Sequence, residues 1–279
     1  MKSLYDVPAP AKLNLFLHIT GRRSDGYHLL QSVFALIDWC DTLHFEVRRD
    51  GVISREDCGV ALPAEDLTVR AARALQSATA TPLGVHISLQ KRIPTEAGMG
   101  GGSSDAASCL IALNHLWGLG LPLARLSAIG LPLGADVPFF LAGRNAWVEG
   151  VGERMTPLDL AAANYLVVKP PDGLQTSRVF SDPDLKRDSE TAIISGFAAS
   201  PAGYGRNDLQ AVAQRLCPGV SQALDWLARQ GMAGRMTGSG SAVFAALQRD
   251  VAPRAVPDGF LVRRCVGLDV HPLVGWTRR

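Results

Sequence analysis

The chain has 279 residues, of which 47% are hydrophobic and 19% are charged, and its formal net charge is +2. This length suits one large domain or two closely packed ones, and the composition excludes an intrinsically disordered chain. The small net charge, with no clustered basic segment, argues against a nucleic-acid-binding protein.

The cysteines are widely spaced and form no C-x-x-C pair, which favours a reducing compartment and argues against a structural zinc site. They are Cys40, Cys58, Cys109, Cys217 and Cys265. The N-terminal apolar run is interrupted by Lys12, Asn14 and His18, so it does not fit a signal peptide. No run reaches the length of a transmembrane helix. We therefore expect a soluble, cytoplasmic protein without a membrane partner.

The first predicted element is a strand over residues 13–19, where leucine and isoleucine occupy the odd positions, while the polar residues Lys12, Asn14, His18 and Thr20 lie at even ones. This period of two predicts a half-buried strand, with Lys12 and Asn14 together on the face opposite the core. Further strands are predicted from the segments LHFEVR, VHISLQ, AWVEG, YLVVK, SAVFAAL and FLVRRCV. Helices are predicted over residues 67–78, 104–117, 123–129, 208–216 and 220–230.

The order of strands and helices is mixed rather than strictly alternating, which favours an α+β fold over a doubly wound sheet. The segment near residues 155–163, which contains Pro157, is a candidate junction between domains. The segment 182–206 is predicted to surround a mobile loop.

The segment PTEAGMGGGSSDAAS, at residues 94–108, has four glycines between positions 98 and 102. It follows a predicted strand and opens a predicted helix, where bare backbone N–H groups and the helix dipole favour an anion such as phosphate. Ser103 and Ser104 are predicted to cap the helix and to offer hydroxyl ligands, and Asp105 is predicted to lie in the first turn.

A glycine-rich loop of this kind has three other interpretations. A flexible surface turn before a buried helix is one. A dinucleotide-binding fingerprint fails at the third glycine and lacks the later acidic residue, and a Walker A loop is excluded because Gly-Lys occurs nowhere in the chain. A phosphate loop without its own lysine needs cations from elsewhere. Mg²⁺ and Lys12 are the candidates, although Lys12 also fits a solvated lysine at a strand edge.

Three segments, PAPAKLNLFL, PTEAGMGGGSSDAA and MTGSGSAVF, resemble in order the three motifs of the GHMP small-molecule kinases. Within that superfamily, GRRSDGYHLLQSVF, LGADVPFFLAG and EGVGE are similar to the kinases that act on 4-diphosphocytidyl-2-C-methyl-D-erythritol in the non-mevalonate isoprenoid pathway. The resemblance implies an α+β, two-domain GHMP kinase fold with the active site between the domains. Residues 1–157 would form an ATP-binding domain like ribosomal protein S5 domain 2, and residues 158–279 a ferredoxin-like domain.

The implied reaction moves the γ-phosphoryl group of ATP to the tertiary 2-hydroxyl of this substrate, with ATP and Mg²⁺ as cofactors. In LGADVPFF the carboxylate of Asp136 lies in an apolar setting, where burial is costly unless the charge is paired. We expect Asp136 to accept the hydroxyl proton as general base and Lys12 to orient it and stabilise the transferring phosphate. A helix or turn cap is the alternative role for Asp136.

By the same resemblance, the expected ATP-binding residues are Pro94, Thr95, Glu96, Ala97, Gly98, Met99, Gly100, Gly101, Gly102, Ser103 and Ser104. Ser104 is also our candidate metal ligand, and Glu96 is expected either to point to solvent or to approach the metal. Asn14 is expected to contact substrate hydroxyls, and Tyr27, His28 and Phe180 to hold the cytosine. Gly238, Ser239 and Gly240 are expected near the transferred phosphate, although an ordinary turn also explains them.

Two alternative functions remain. Another GHMP kinase, for galactose, homoserine or mevalonate, is disfavoured by the segment DGYH. A non-catalytic nucleotide-binding regulator is disfavoured by the presence of both Lys12 and Asp136.

Overall fold

The computed structural model describes residues 2–201, 203–247, 253 and 255–276 of the chain. Its elements follow one another as β1 (Ser3–Arg22), β2 (His28–Arg48), β3 (Ile53–Asp57), α1 (Leu67–Thr79), β4 (Gly84–Gln90), α2 (Gly101–Leu116), α3 (Leu123–Gly130), α4 (Val137–Ala142), β5 (Ala146–Gly150), β6 (Arg154–Pro157), β7 (Asn164–Lys169), α5 (Thr176–Phe180), α6 (Ile194–Ala199), α7 (Gln210–Leu216), α8 (Pro218–Arg229), β8 (Arg235–Met236), β9 (Val243–Leu247) and β10 (Leu261–Leu268). The α+β class is confirmed.

Every predicted strand and helix overlaps one of these elements, although the ends of several differ. The sequence did not indicate the first half of β2, the short strands β3, β6 and β8, or the short helices α4, α5 and α6. No helix in the described ranges is both long enough and apolar enough to cross a membrane.

The strands form one sheet with the order β3-β4-β2-β10-β7-β9-β8, and β1 and β5 also pair with β2. β1 and β2 make a long antiparallel hairpin, whose register runs from Ser3 opposite Glu46 to Arg22 opposite His28. The turn of this hairpin, residues 23–27, therefore lies far from the strand ends that begin at Ser3.

β1 is buried on both faces, so the prediction of a half-buried strand is wrong. Lys12 and Asn14 are only 4% and 1% exposed. Loops from two distant parts of the chain cover the strand: the N–H of Lys12 donates to the carbonyl of Met99 at 3.0 Å, and that of Asn14 to Thr237 Oγ1 at 2.9 Å. The polar residues of the alternating pattern are thus enclosed by glycine-rich loops instead of facing bulk water.

Among the described residues, the hydrophobic core has three clusters. Phe45, Leu110 and Phe139 belong to the cluster between the sheet and helices α1, α2 and α4. Val168 and Trp226 belong to a second cluster, under α7 and α8. The third cluster contains residues of β1 and β2 together with residues of β7 and β9, so it joins the two halves of the chain.

The end of the described chain returns to the N-terminal half. β10 pairs at its end with β2, and the N–H of His271 then donates to the carbonyl of Gly143 at 2.9 Å. Leu273 belongs to the cluster under α2 and α4. The domain boundary after residue 157 remains a prediction, and residues 269–276 pack against the first of the two predicted domains.

Candidate active site

A cleft of about 1070 Å³ lies between the β1–β2 turn, the glycine loop, the start of α4, helix α5 and the second glycine cluster. Lys12 and Asp136 line it, together with the whole predicted ATP loop from residue 94 to residue 103. Most of the predicted substrate residues also line it: Asn14, Tyr27, His28, Phe180, Gly238 and Ser239. Of the described residues that were expected in the site, Ser104 and Gly240 do not contribute to this lining.

Lys12 and Asp136 form an ion pair inside the cleft. Lys12 Nζ lies 3.5 Å from Asp136 Oδ2, and the side chains are 5% and 29% exposed. The ammonium group also lies 4.6 Å from the centre of the Phe34 ring. The carboxylate and the aromatic face both attract the ammonium group, so they orient the Lys12 side chain into the cleft.

Asp136 occupies the N-cap position of α4, yet its side chain makes no capping hydrogen bond within the described part of the chain. Its backbone is already helical, with φ −84° and ψ −12°, whereas a capping residue normally has an extended backbone. The carboxylate is therefore available to the cleft and to Lys12. The cap that we considered as its alternative role is not formed.

Asn14 holds the lysine from the other side. Its Oδ1 accepts a hydrogen bond from Lys12 Nζ at 2.5 Å, and its Nδ2 donates to Ser32 Oγ at 3.0 Å. Ser32 in turn donates to the carbonyl of Phe16 at 2.5 Å. This chain of bonds fixes the orientation of the Asn14 amide and leaves one amide proton for a ligand.

The two glycine clusters pack backbone to backbone. A Cβ on Gly98 would lie 2.2 Å from the carbonyl oxygen of Thr237, and a Cβ on Gly238 would lie 2.6 Å from that of Gly98. Gly98 also has a φ of +72°, which L side chains rarely adopt. The backbone N–H of Gly240 donates to the carbonyl of Thr237 at 3.0 Å. Gly240 therefore stabilises the turn of the second loop and does not line the cleft.

The predicted serine cap of α2 is wrong. The helix begins at Gly101, with Gly100 in the N-cap position at φ +70°. Ser104 is fully buried, and its hydroxyl donates to the carbonyl of Pro10 at 2.6 Å. Its hydroxyl therefore ties the helix to β1, and Ser103 is the serine that faces the cleft. The flexible glycines allow the helix to begin before the serines are reached.

Asp105 also departs from its predicted role in the first turn. It is 1% exposed and pairs with Lys91 at 2.7 Å, and Lys91 pairs with Asp41 as well. Burial raises the pKa of Asp105 well above its usual value. Burial lowers the pKa of Lys91, but Asp105 and Asp41 outweigh this effect and hold it above its usual value.

Lys91 thus lines the cleft beside the glycine loop, with its ammonium group paired to Asp41 and Asp105. We did not identify this lysine from the sequence. Its position directly before the loop, in the segment LQKRIP, is the signal that could have indicated it.

Glu96 turns towards a neighbouring loop. It has a φ of +51°, and its carbonyl accepts from the backbone N–H of Ser241 at 3.1 Å and of Leu174 at 3.3 Å. A Cβ on Gly173 would lie 2.2 Å from Glu96 Oε2, so the exposed side chain lies against that glycine. The carboxylate is thus placed beside the loop before α5.

The far end of the cleft carries aromatic groups. The Tyr27 side chain is exposed at 64%, and the rings of His28 and Phe180 lie 5.2 Å apart at an angle of 43°. Burial lowers the pKa of His28 below its usual value, and the positive charges of Arg187 and Arg22 lower it further. This end therefore offers flat, neutral surfaces that suit a heterocyclic base.

Comparisons with known proteins identify relatives of this chain. The family model of the GHMP kinases N terminal domain matches residues 66–144, and that of the GHMP kinases C terminal matches residues 194–260. A 4-diphosphocytidyl-2-C-methyl-D-erythritol kinase from Albidiferax ferrireducens is 71% identical over 99% of this chain and 96% of its own. The enzyme of that name from a Polaromonas species is 64% identical over 99% and 95%.

A solved structure supports the same relationship. The crystal structure of a 4-(cytidine 5'-diphospho)-2C-methyl-D-erythritol kinase superimposes with a TM-score of 0.74 and 33% sequence identity, over 95% of this chain and 99% of that one. Identity of this extent over nearly the whole chain shows the family as well as the fold. The chain belongs to the 4-diphosphocytidyl-2-C-methyl-D-erythritol kinase family of GHMP kinases.

Proposed function

We propose that this chain transfers the γ-phosphoryl group of ATP to the 2-hydroxyl of 4-diphosphocytidyl-2-C-methyl-D-erythritol, as a step of the non-mevalonate isoprenoid pathway. The names of its relatives support this substrate. The observation that carries the proposal is the Lys12–Asp136 pair, which opens into the same cleft as the glycine loop and the His28–Phe180 pair.

The glycine loop is the proposed site for the phosphates of ATP. A Cβ on Gly100 would lie 3.0 Å from the Phe140 ring and 3.3 Å from Lys12 Cε, so a side chain at this position would crowd both residues. The bare N–H groups at the start of α2 can donate to phosphate oxygens. Lys91 lies beside the next glycine, since a Cβ on Gly101 would lie 3.3 Å from Lys91 Nζ.

In the proposed transfer, an Asp136 carboxylate oxygen accepts the proton of the substrate 2-hydroxyl. The hydroxyl oxygen then forms a bond to the γ-phosphorus, while the bond between that phosphorus and the β–γ bridging oxygen breaks and ADP leaves. The ammonium group of Lys12 has three N–H donors. One donates to Asn14, one is directed at Asp136, and the third is available to the transferring phosphate. Alignment and charge neutralisation supply most of the rate in such reactions.

Magnesium is expected to enter with ATP and to neutralise charge on its phosphates. Within the described ranges, no group of three or more His, Cys, Asp or Glu side chains is arranged to hold a metal ion. A metal site built by the protein alone therefore does not fit these residues, and none of the steps above passes through the metal.

The cellular location and the domain division also belong to this proposal. Cys40, Cys58, Cys109, Cys217 and Cys265 are all free, as is usual in a reducing compartment, so we infer a cytoplasmic enzyme. The proposed ATP-binding and C-terminal domains are residues 1–157 and 158–279.

The test is release of ADP from magnesium-ATP in the presence of a panel of acceptors. We expect turnover with 4-diphosphocytidyl-2-C-methyl-D-erythritol and none with galactose, homoserine or mevalonate. Turnover with one of the other acceptors alone would identify a different GHMP kinase. Binding of ATP without turnover on any acceptor would identify a nucleotide-binding regulator.

A further inference from the structure

Arg187 lies in the irregular segment between α5 and α6 and contacts His28, a residue of the cleft lining. Its Nε donates a hydrogen bond to Nε2 of His28 at 3.1 Å. Its Nη1 donates to the carbonyls of Pro183 and Leu185, at 3.2 and 2.9 Å, and its Nη2 donates to that of Asp182 at 2.6 Å. Four hydrogen bonds therefore hold the guanidinium in one orientation against the imidazole.

The segment that supplies these carbonyls is itself anchored. Asp182 is 8% exposed, and both of its carboxylate oxygens accept from Arg215 Nη2 of α7 at 2.6 Å. The segment follows directly after Phe180, which contacts the His28 ring. Arg187 thus connects β2, where His28 lies, to the element that closes the far side of the cleft.

A guanidinium group has five N–H donors and no acceptor. The Nε2 atom of His28 must therefore contribute its lone pair to Arg187, and the proton of the neutral ring must lie on Nδ1. Burial, Arg187 and Arg22 all lower the pKa of His28, so the neutral ring is the form expected near pH 7.

We propose that Arg187 is a positioning residue that fixes His28 in its Nδ1–H tautomer, so that the imidazole presents a hydrogen-bond donor to an acceptor atom of the substrate's pyrimidine base. The acceptors of this kind on cytosine are the ring nitrogen N3 and the carbonyl O2. The inference deepens the proposed function and rests on it for the identity of the base. The tautomer itself is a property of the free protein.

The first test is ¹⁵N NMR of the imidazole nitrogens in the ligand-free protein near pH 7.5, with the His28 signals assigned by their loss in His28→Gln. We expect a protonated Nδ1 and an unprotonated Nε2 for the unmodified protein, and a mixture of the two tautomers in Arg187→Met. A protonated Nε2 in the unmodified protein would overturn the proposal, as would an unchanged tautomer in Arg187→Met.

The second test is steady-state kinetics with the cytidyl substrate. We expect Arg187→Met to raise KM for this substrate roughly ten-fold, the cost of about one hydrogen bond, with KM for ATP and kcat nearly unchanged. His28→Ala is expected to raise the same KM and leave that of ATP alone. In the His28→Ala background, Arg187→Met should have little further effect, because its action passes through the imidazole.

Lys186→Met is the matched control, since it removes the neighbouring positive charge, which is 46% exposed and paired with Asp188 at 2.6 Å. It should leave both the tautomer and KM unchanged. An equal rise in KM on adding Arg187→Met to the His28→Ala background would show that Arg187 merely orders its segment, and would overturn the proposal. If the unmodified enzyme does not turn over the cytidyl substrate, the proposed function fails while the NMR test still decides the tautomer.

Discussion

At the scale of single residues, the catalytic proposal depends on two side chains that lie 124 positions apart in the sequence and 3.5 Å apart in the structure. The sequence indicated both, because a carboxylate in LGADVPFF and a lysine in PAPAKLNLFL match family motifs. It could not show that Asn14 holds Lys12 or that Asp136 leaves its helix uncapped. Those features depend on contacts between β1, β2 and α4, which no local pattern encodes.

Replacing the proposed base tests this arrangement. Asp136→Asn keeps the shape but cannot accept the hydroxyl proton, so we expect kcat to fall by about 10² to 10⁴. Lys12→Ala should also lower kcat severely, because the charge on the transferring phosphate is left without its nearest cation. Steady-state ADP release measures both effects, with Lys186→Ala as the control for loss of a lysine. Near-normal turnover in both variants, with folding intact by circular dichroism, would contradict the assignment.

At the scale of elements, the cleft depends on two glycine loops that fit together only as bare backbone. The sequence predicted the strand, the loop and the helix around residues 94–108, and the family resemblance implied that the second cluster lies near the transferred phosphate. It did not predict where α2 begins, because a helix can start within flexible glycines as well as at a serine. It gave no signal for Arg187, which lies in a segment interpreted as the surroundings of a mobile loop.

A pair of glycine substitutions distinguishes the effect of the contact between the two loops from the effect of backbone strain. Gly98 and Gly118 have nearly equal φ values, +72° and +69°, so alanine at either position costs roughly 1 kcal/mol of strain. A Cβ on Gly98 meets the Thr237 carbonyl at 2.2 Å, whereas a Cβ on Gly118 meets nothing within 4 Å. We expect Gly98→Ala to be the more destabilising in chemical denaturation and to raise KM for ATP, while Gly118→Ala leaves that KM unchanged. Equal effects from the two substitutions would refute the contact.

At the scale of the whole molecule, the two halves of the chain are joined by a shared sheet, by a common hydrophobic cluster and by the returning segment after β10. Composition and element order were enough to predict the α+β class. The sheet order was not predictable from them, because it depends on long-range pairings such as β10 with β2. The two-domain architecture was accessible only through the family resemblance.

The returning segment also makes stability depend on pH. His271 is 1% exposed; its Nδ1 accepts from the backbone N–H of Leu273 at 3.0 Å, and burial lowers its pKa to about 4. In the unfolded chain the pKa of this histidine is near 6.5. The unfolded chain therefore binds the proton first as pH falls, so protonation favours unfolding. The stabilising effect of the neutral ring is complete above about pH 6.5 and is lost towards pH 4, a change of about 3 kcal/mol.

This effect is measured by urea denaturation between pH 7.5 and pH 4. The unmodified protein is compared with His271→Asn. The asparagine retains an acceptor for Leu273 but does not titrate. We expect the free energy of unfolding of the unmodified protein to fall relative to that of the variant as pH drops through this range. A difference between the two proteins that is constant with pH would show that His271 is not held neutral.

The central claim is that one cleft aligns ATP with the 2-hydroxyl of a cytidyl-linked methylerythritol. It is tested most directly by ³¹P NMR of the product formed from magnesium-ATP and 4-diphosphocytidyl-2-C-methyl-D-erythritol. The account predicts one new phosphomonoester signal per ADP released, coming from a phosphate on the tertiary 2-hydroxyl, with the diphosphate of the acceptor intact. Release of ADP with inorganic phosphate alone, or a phosphate on a different hydroxyl, would contradict it.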